Sequence, residues 1–433
     1  MYRNLALSGG LLIALLVGLS GCGEPNSDYR QPNLNSPNFG QPNPDQQNPE
    51  NEDGDEDGDG DWWNENGNTN GDPSDSPLQQ EPSNASNWVS VAVGSQHRCG
   101  LKTNGSIWCW GSNMDGELGN GTTTVLETTP TQVMGSQEWA QVSAGSDYSC
   151  GVQTDGTLWC WGRNQGGQLG IGSTTDQNRP AQEASNLRGW TKVSTSATTF
   201  GAFTCGIEQS EDGYGLYCWG ENIDGDYGAD SFSPNSPHRI AQGHWKDMEI
   251  SQVHGCGIQQ IHPGGGAFLL CWGGNEHGQL GSGTNTNSFT PSIEATESSD
   301  WEQVAVGSKH SCGLKENGTL WCWGDNSNGQ LGTGNTSAQN QPVQESTGAS
   351  NWTQVTLGEK HSCAIKVDGS LWCWGGNGSR ELGDGTREDR HTPVRVGASQ
   401  GPWAQVDASR GSLSHTCAVT TSNALYCWGS NAF

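Results

Sequence analysis

The sequence predicts an all-β fold, a seven-bladed β-propeller built from repeats of about 51 residues. Two observations predict it: a tryptophan recurs at near-equal spacing, and strand-like runs alternate with turn residues inside each repeat. The recurring tryptophans are Trp88, Trp139, Trp190, Trp245, Trp301, Trp352 and Trp403. Self-similarity at this period is typical of solenoids and propellers, in which one repeat is one supersecondary unit.

Each repeat has the pattern of a small antiparallel sheet. Runs rich in Val, Ile, Trp and Tyr alternate with Gly, Asn and Asp, which favours strands and hairpins over helices. In the clearest copy the runs lie at residues 301–304, 312–314 and 320–323, and a fourth run with Thr-Pro recurs at residues 129–133 and 392–396. Four strands make one propeller blade, so seven repeats make a closed ring.

The cysteines are distributed two to a repeat. In the first repeat a three-residue loop that ends at Gly105 would place Cys99 opposite Cys109, at a separation that suits a disulfide. Metal ligation and free buried thiols are the alternatives, but zinc sites need four ligands, usually with close Cys-x-x-Cys pairs. Disulfides would indicate an oxidising compartment. The predicted pairs are Cys99 with Cys109, Cys150 with Cys160, Cys205 with Cys218, Cys256 with Cys271, Cys312 with Cys322, Cys363 with Cys373, and Cys417 with Cys427.

The recurring motifs Trp-Cys-Trp-Gly, Gly-Gln-Leu-Gly and His-Ser-Cys resemble those of the regulator of chromosome condensation repeat family. The resemblance covers residues 88–433 and implies a seven-bladed propeller. Departures lie at residues 225–228 and 270–272, where the third and fourth copies diverge. One branch of this family exchanges guanine nucleotide on a small nuclear GTPase and binds chromatin. The net charge of −28 argues against nucleic acid as a partner, and with the predicted export it argues against nucleotide exchange too.

The first 21 residues have the pattern of a secretory signal. An apolar run at residues 5–19 is too short to span a bilayer, and it ends in Leu19-Ser20-Gly21-Cys22, which resembles the lipobox of bacterial lipoproteins. This resemblance implies that Cys22 carries lipid at the mature N-terminus, with an ordinary cleaved signal as the alternative. Gly23 after that cysteine favours the outer membrane or cell surface of a bacterial envelope.

Residues 22–74 are predicted to be a disordered acidic tether, followed by the propeller at residues 75–433. Its acidic run matches the start of a calcium loop, with alternating carboxylates at Asp53, Asp55, Asp57, Asp59 and Asp61. The match fails at its twelfth position, which is Asn64 rather than Glu. Weak calcium binding and a simple solvated charge run are therefore the two interpretations, and no other cofactor is predicted.

Residues 76–79 resemble residues 341–344, and both segments are followed by Ala-Ser-Asn-Trp after a short gap. The sequence therefore predicts that the end of the tether supplies the first strand of blade one. On that arrangement the ring closes by the packing of whole blades, without exchange of a strand.

One repeat position is a candidate for a ring of metal-ligating side chains. It carries five histidines, but Tyr and Phe occur at the same place, which favours packing or hydrogen bonding in every blade. The residues at this position are His97, Tyr148, Phe203, His254, His310, His361 and His415. The tryptophans of the Trp-Cys-Trp motifs are likewise predicted to pack between blades, and the alternative is that they stack on sugar rings.

The repeats are interrupted by insertions, and function on a rigid scaffold usually lies in such loops. The segment between the tryptophan and the first cysteine is longer in repeats three and seven, and the cysteine hairpin is longer in repeats three and four. The two long hairpin tips fall on neighbouring blades and on one face, so they form the candidate partner-binding patch. Its residues are Glu211, Asp212, Tyr214, Ile261, His262 and Pro263.

The sequence shows no nucleophile constellation and no phosphate-binding glycine loop, so no catalytic residue is assigned and the protein is predicted not to be an enzyme. The predicted function is a lipid-anchored, extracytoplasmic, monomeric scaffold that binds a protein or an envelope polymer. Two alternatives use the same fold: a secreted inhibitor of β-lactamases and a glycan-active enzyme.

Overall fold

The computed structural model describes residues 78–80, 86–135, 138–198, 201–210, 213–222, 234–262 and 264–430. All of them belong to the compact unit Asn68–Phe433. The described residues form 28 β-strands and no helix, and the strands build seven four-stranded antiparallel sheets. The predicted all-β, seven-bladed propeller is confirmed.

The strands follow one another from the inside of each blade to the outside. Blade one comprises β2 (Trp88–Val93), β3 (His97–Lys102), β4 (Ile107–Ser112) and β5 (Leu126–Gln132). Blade two comprises β6 (Trp139–Ala144), β7 (Tyr148–Gln153), β8 (Leu158–Gly162) and β9 (Gln177–Gln182). Blade three comprises β10 (Trp190–Thr195), β11 (Phe203–Ser210), β12 (Gly213–Gly220) and β13 (His238–Gln242). Blade four comprises β14 (His244–Ile250), β15 (His254–Gln260), β16 (Ala267–Gly273) and β17 (Ser288–Ile293).

The remaining blades repeat this order. Blade five comprises β18 (Trp301–Val306), β19 (His310–Lys315), β20 (Leu320–Gly324) and β21 (Gln339–Gln344). Blade six comprises β22 (Trp352–Leu357), β23 (His361–Lys366), β24 (Leu371–Gly375) and β25 (Arg390–Val396). Blade seven comprises β26 (Trp403–Ala408), β27 (His415–Thr420), β28 (Leu425–Gly429) and the N-terminal strand β1 (Gln79–Gln80).

Strand β1 closes the ring by pairing with the last strand of the chain. Gln79 lies opposite Cys427 and Gln80 opposite Tyr426, so β1 is the outer strand of blade seven. The prediction that this segment starts blade one, and that the ring closes by packing alone, is wrong. Residues 76–79 match a fourth strand of the repeat, and a fourth strand pairs with the third strand of the blade before the next tryptophan. Here that partner is β28, whose edge would otherwise be unpaired.

The first strand of every blade contacts the first strands of both neighbours, so these strands surround the central axis. The apolar core lies between blades rather than inside a single sheet. At the seam between blades five and six, for example, Leu314 and Leu320 of one blade pack with Trp352 and Trp374 of the next. Each blade therefore becomes stable only against its neighbours.

Candidate functional site

The cysteines lie opposite each other on the second and third strands of each blade. Among the described residues seven disulfides join the same pairs that the sequence analysis assigns, with a Cα–Cα distance of 4.1 Å in each. All fourteen sulfur-bearing side chains are buried. They brace the middle hairpin of each blade and are not available as ligands.

The repeated histidine position forms a hydrogen-bonded relay between neighbouring blades, here called the inter-blade relay. His310 Nε2 lies 3.1 Å from the Ser362 hydroxyl of the next blade, and that hydroxyl donates to the Gln330 carbonyl at 2.7 Å. The Trp374 indole donates to the same carbonyl at 2.9 Å. Because the serine proton is directed at the carbonyl, the histidine donates from Nε2.

The same relay recurs at other seams with the same chemistry. His97 pairs with Ser149, His254 with Ser311, and His361 with Thr416, at 2.8, 2.8 and 2.9 Å. Where Phe203 replaces the histidine, the next blade carries Gly255 in place of the hydroxyl residue. The prediction of a packing and hydrogen-bonding role is confirmed.

Burial controls the charge state of these histidines. Desolvation lowers the pKa of His97 and His310 to about 4, and that of His254 and His361 to about 3. Burial also lowers the pKa of His415 well below its usual value. The imidazoles are therefore neutral at physiological pH. No group of three or more His, Cys, Asp or Glu side chains suited to a metal ion occurs in the described part of the chain.

A belt of glutamine side chains around the axis links blades two, five, six and seven each to the next blade, and the sequence analysis missed it. The residue two positions after the repeat tryptophan follows a β-bulge and reaches the backbone of the neighbouring first strand. Gln405 accepts from Val91 N–H at 2.9 Å and donates to Val91 C=O at 3.0 Å. Gln141 makes the same pair of bonds with Val193. The recurring Trp-x-Gln-Val motif is the sequence signal for this glutamine belt.

The insertion of repeat seven lies across the axis at one end of the ring. Its Arg410 donates to the Ile250 carbonyl at 3.3 Å and pairs with Glu249, both on blade four. The Arg410 carbonyl accepts from Gln252 at 3.2 Å and from the Ser308 hydroxyl of blade five at 2.9 Å. The insertion of repeat three meets the same region, because Gln252 also donates to the Ala197 carbonyl. The insertion of repeat seven thus ties blade seven to blades four and five across the ring, and the insertion of repeat three bonds to the neighbouring blade four.

Charged side chains surround the axis beneath Arg410. Lys192 forms an ion pair with Asp247 and lies 4.0 Å from Glu249. Burial raises the pKa of Asp407 to about 6, although Arg410 opposes the shift. Asp407 also accepts from Val93 N–H at 2.8 Å and from the Thr356 hydroxyl at 3.0 Å. The Lys192–Asp247 pair joins blades three and four, and Asp407 joins blade seven to blades one and six.

The structure connects the two hairpin tips of the predicted patch. The Tyr214 ring of blade three lies 4.2 Å, centroid to centroid, from the His244 ring of blade four. His244 pairs with Gln260, and the next residue, Ile261, has 68% of its side-chain surface exposed. His262 follows in the same tip. Tyr214, His244 and Ile261 are here called the tip surface.

Several predicted site residues lie outside the described residues. They include Glu211, Asp212 and Pro263 of the patch, Cys22, and the five aspartates Asp53, Asp55, Asp57, Asp59 and Asp61. Within the described ranges, no helix is long and apolar enough to cross a membrane.

Comparison with known families identifies the repeats. A family model for the RCC1-like domain matches residues 57–413, and a model for the regulator of chromosome condensation (RCC1) repeat matches residues 404–433. The chain belongs to the RCC1-like domain family. The divergent third and fourth blades keep the disulfide register of the other blades, with Cys205 opposite Cys218 and Cys256 opposite Cys271.

Relatives of this RCC1-like propeller include proteins of several kinds. The Ultraviolet-B receptor UVR8 of Arabidopsis thaliana is 31% identical over 310 residues, which cover 67% of this chain and 65% of UVR8. The E3 ubiquitin-protein ligase HERC2 of Homo sapiens is 28% identical over 76% of this chain, but the match spans only 7% of HERC2. The chain thus spans less than two thirds of these relatives.

Solved structures share the fold of this RCC1-like propeller at low identity. Prp20p from Saccharomyces cerevisiae is 19% identical, with a TM-score of 0.65 over 80% of this chain and 83% of that chain. Human WBSCR16 is also 19% identical, with a TM-score of 0.66 over 80% of this chain and 88% of that chain. The description of Prp20p names binding to Gsp1p and histones, and a second structure shows it bound to Kap60.

Proposed function

We propose that this RCC1-like propeller is a non-catalytic protein-binding scaffold, held outside the cytoplasm by lipid on Cys22. The observation that carries the binding role is the tip surface, where Tyr214 on the lengthened hairpin of blade three contacts His244 at the start of β14. His244 pairs with Gln260, which precedes Ile261 on the lengthened hairpin of blade four. Aromatic rings beside an exposed apolar side chain have the composition of interface anchors. Membership of a family whose members include a receptor and protein-bound propellers supports the same role.

The rigidity of the scaffold supports a binding role. Seven disulfides brace the blades, and the glutamine belt and Arg410 tie the blades together around the axis. A rigid scaffold presents its loops in one conformation, which lowers the ordering cost of binding. The binding surface is therefore preorganised.

The paired cysteines and the N-terminal sequence motif support a location outside the cytoplasm. Disulfides form and persist in oxidising compartments, and the described part of the chain pairs its cysteines completely. The Leu-Ser-Gly-Cys motif supplies Cys22 as the lipidated cysteine. A partner in the envelope, either a protein or a polymer, fits this location.

The tip surface is tested by quantitative capture from envelope extracts with the full mature chain. Ile261→Asp places a charge at the centre of the surface, and we expect the specific partner to be depleted at least about tenfold, as for an anchor worth about 1.4 kcal/mol. Val367→Asp is the matched control, because Val367 has 74% of its surface exposed at the corresponding hairpin of blade six. Equal capture by Ile261→Asp and the wild type would refute the surface.

Anchoring is tested separately with Cys22→Ala. A lipid chain supplies about 0.8 kcal/mol of membrane affinity for each buried CH₂. We expect the substituted protein to move from the membrane fraction to the soluble fraction and to lose incorporation of labelled palmitate. A membrane fraction unchanged by the substitution would show that Cys22 is not the anchor.

A further inference from the structure

A cavity of about 190 Å³ lies at the seam between blades six and seven, beside the hairpin turn of blade six. Its buried lining includes the apolar side chains of Leu371, Val396 and Trp403. Two exposed side chains of opposite charge, Asp368 and Arg395, also line it. Pockets for drug-sized ligands have volumes of about 300–1,000 Å³. This cavity therefore suits a smaller molecule, with an apolar part and charged groups of both signs.

At three other seams a buried glutamate of the chain itself occupies the position of Val396, seven residues before the repeat tryptophan. Glu345 accepts from Thr347 N–H at 2.6 Å and from Ala349 N–H at 3.2 Å. The same carboxylate accepts the Trp352 indole proton at 3.2 Å. The other two glutamates with these bonds are Glu183 and Glu294. The space beneath this loop can therefore hold a carboxylate.

The seam between blades two and three also carries a cation of the chain itself at this place. Asp155 has the hairpin position of Asp368, and its carboxylate lies 3.7 Å from the Arg188 guanidinium. Arg188 lies two residues before the repeat tryptophan, and in blade seven that position is Gly401, which lines the cavity. At the seam between blades six and seven, Val396 and Gly401 thus replace both the carboxylate and the cation.

The two charged side chains of the cavity are suited to a ligand that carries both charges. Asp368 accepts from Ser370 N–H at 2.9 Å and from the Ser370 hydroxyl at 2.6 Å, and these bonds hold its carboxylate at the hairpin turn. The bonds from Ser370, with the charge of Arg395, lower the pKa of Asp368, so it is ionised at neutral pH. Arg395 stands where blade two has Gln182, and a guanidinium pairs well with a carboxylate.

We propose that this cavity binds a free α-amino acid with a small apolar side chain. Arg395 donates to its carboxylate, and Asp368 accepts from its ammonium group. Its side chain lies against the apolar lining of the cavity. The amino acid thus supplies the carboxylate and the cation that the chain itself supplies at the seam between blades two and three. The site is separate from the tip surface, which lies on blades three and four.

Isothermal titration calorimetry of the full mature chain tests the ligand. We expect L-valine to bind, and N-acetyl-L-valine and L-valinamide to bind at least about tenfold more weakly, because each loses one charge-assisted hydrogen bond. Equal affinity for N-acetyl-L-valine would identify the C-terminus of a peptide as the ligand, and equal affinity for L-valinamide would identify an N-terminus. Either result would overturn the assignment, as would absence of binding for L-alanine, L-valine and L-leucine at millimolar concentration.

Two variants test the charged groups separately. Asp368→Asn and Arg395→Gln are each expected to weaken the binding of L-valine at least about tenfold. Asparagine preserves the hairpin turn, because Asn104 and Asn317 accept the same backbone bond at this position in blades one and five. Asp155→Asn is the matched control on blade two, and it leaves the affinity unchanged. Wild-type affinity in either charge variant would refute the site.

Val396→Glu tests the cavity itself. It places the glutamate of the three other seams in the space assigned to the ligand carboxylate, so we expect it to abolish the binding of L-valine. Circular dichroism checks that this variant is folded, and the two charge variants test the site independently of it. Wild-type affinity in folded Val396→Glu would show that L-valine binds elsewhere and would overturn the assignment.

Discussion

Single side chains in this protein act mainly on the blade next to their own. The glutamine belt is the clearest case, because Gln405 satisfies both backbone groups of Val91, a residue 314 positions away in the chain. Gln303 and Gln354 bond to Val355 and Val406 in the same way. The side chain of each glutamine therefore extends one blade's hydrogen bonding to its neighbour.

Removing one member of the belt is expected to weaken the ring. Gln405→Leu leaves the Val91 N–H and C=O without partners at a buried position, at a cost of about 1–3 kcal/mol for each group. We expect a lower free energy of unfolding in urea and a lower melting temperature. Gln242→Leu, at an exposed side chain, is the control, and equal stability of both variants would contradict the role of the belt.

Sequence reasoning at this scale succeeded where a position varied between residues of related chemistry. Tyr148 and Phe203 at the histidine position indicated a shared packing role, and the relay bears this out. Sequence reasoning missed the contacts of Arg410, because an insertion carries no repeat pattern that would show which blades it contacts. Only the closed ring brings Arg410 beside Glu249 and Ser308.

At the scale of elements, the two-residue strand β1 has a large structural role. It covers the edge of β28, and Leu78 beside it packs on the apolar cluster that contains Trp403. Without β1 the edge of blade seven would be open to pairing with another chain. The short strand thus closes the ring and protects its last edge.

Deletion of residues 75–84 is therefore expected to lower the melting temperature and to promote association. An exposed β28 edge offers unpaired backbone groups to a second molecule. Calorimetry and size-exclusion chromatography measure the two effects. Deletion of residues 41–50, of equal length within the predicted tether, is the control. A monomer of unchanged melting temperature after loss of residues 75–84 would contradict the closure by β1.

At the scale of the whole molecule, the repeated histidines make the ring sensitive to acid. Their native pKa values lie below the usual 6.5, so the unfolded chain binds protons that the folded chain does not. This contribution to stability is complete above about pH 6.5 and is lost as the pH falls toward 4 and then 3. Burial raises the pKa of Asp407 to about 6 and also raises the pKa of Asp115, Glu117, Asp147 and Glu381, so these carboxyl groups act in the opposite direction and partly offset the loss.

We expect the melting temperature to fall steadily between pH 7 and pH 4.5. At pH 5 each relay histidine with a pKa near 4 or below costs about 2 kcal/mol relative to neutral pH, as an upper value. His310→Gln, which keeps a donor for Ser362 but does not titrate, is expected to flatten the pH dependence. An unchanged slope in that variant would show that His310 does not control the acid response.

The sequence by itself determined the local structure of this protein: seven four-stranded repeats, their hairpins and the cysteine pairs within each hairpin. These features depend on residues that are close in the chain, so the period-two alternation of side chains and the positions of turn residues are enough to predict them. The tertiary structure decided the attachment of β1 to blade seven, the glutamine belt and the position of Arg410 across the axis. Those contacts join residues up to several hundred positions apart, and they arise only when the ring closes and brings distant blades together.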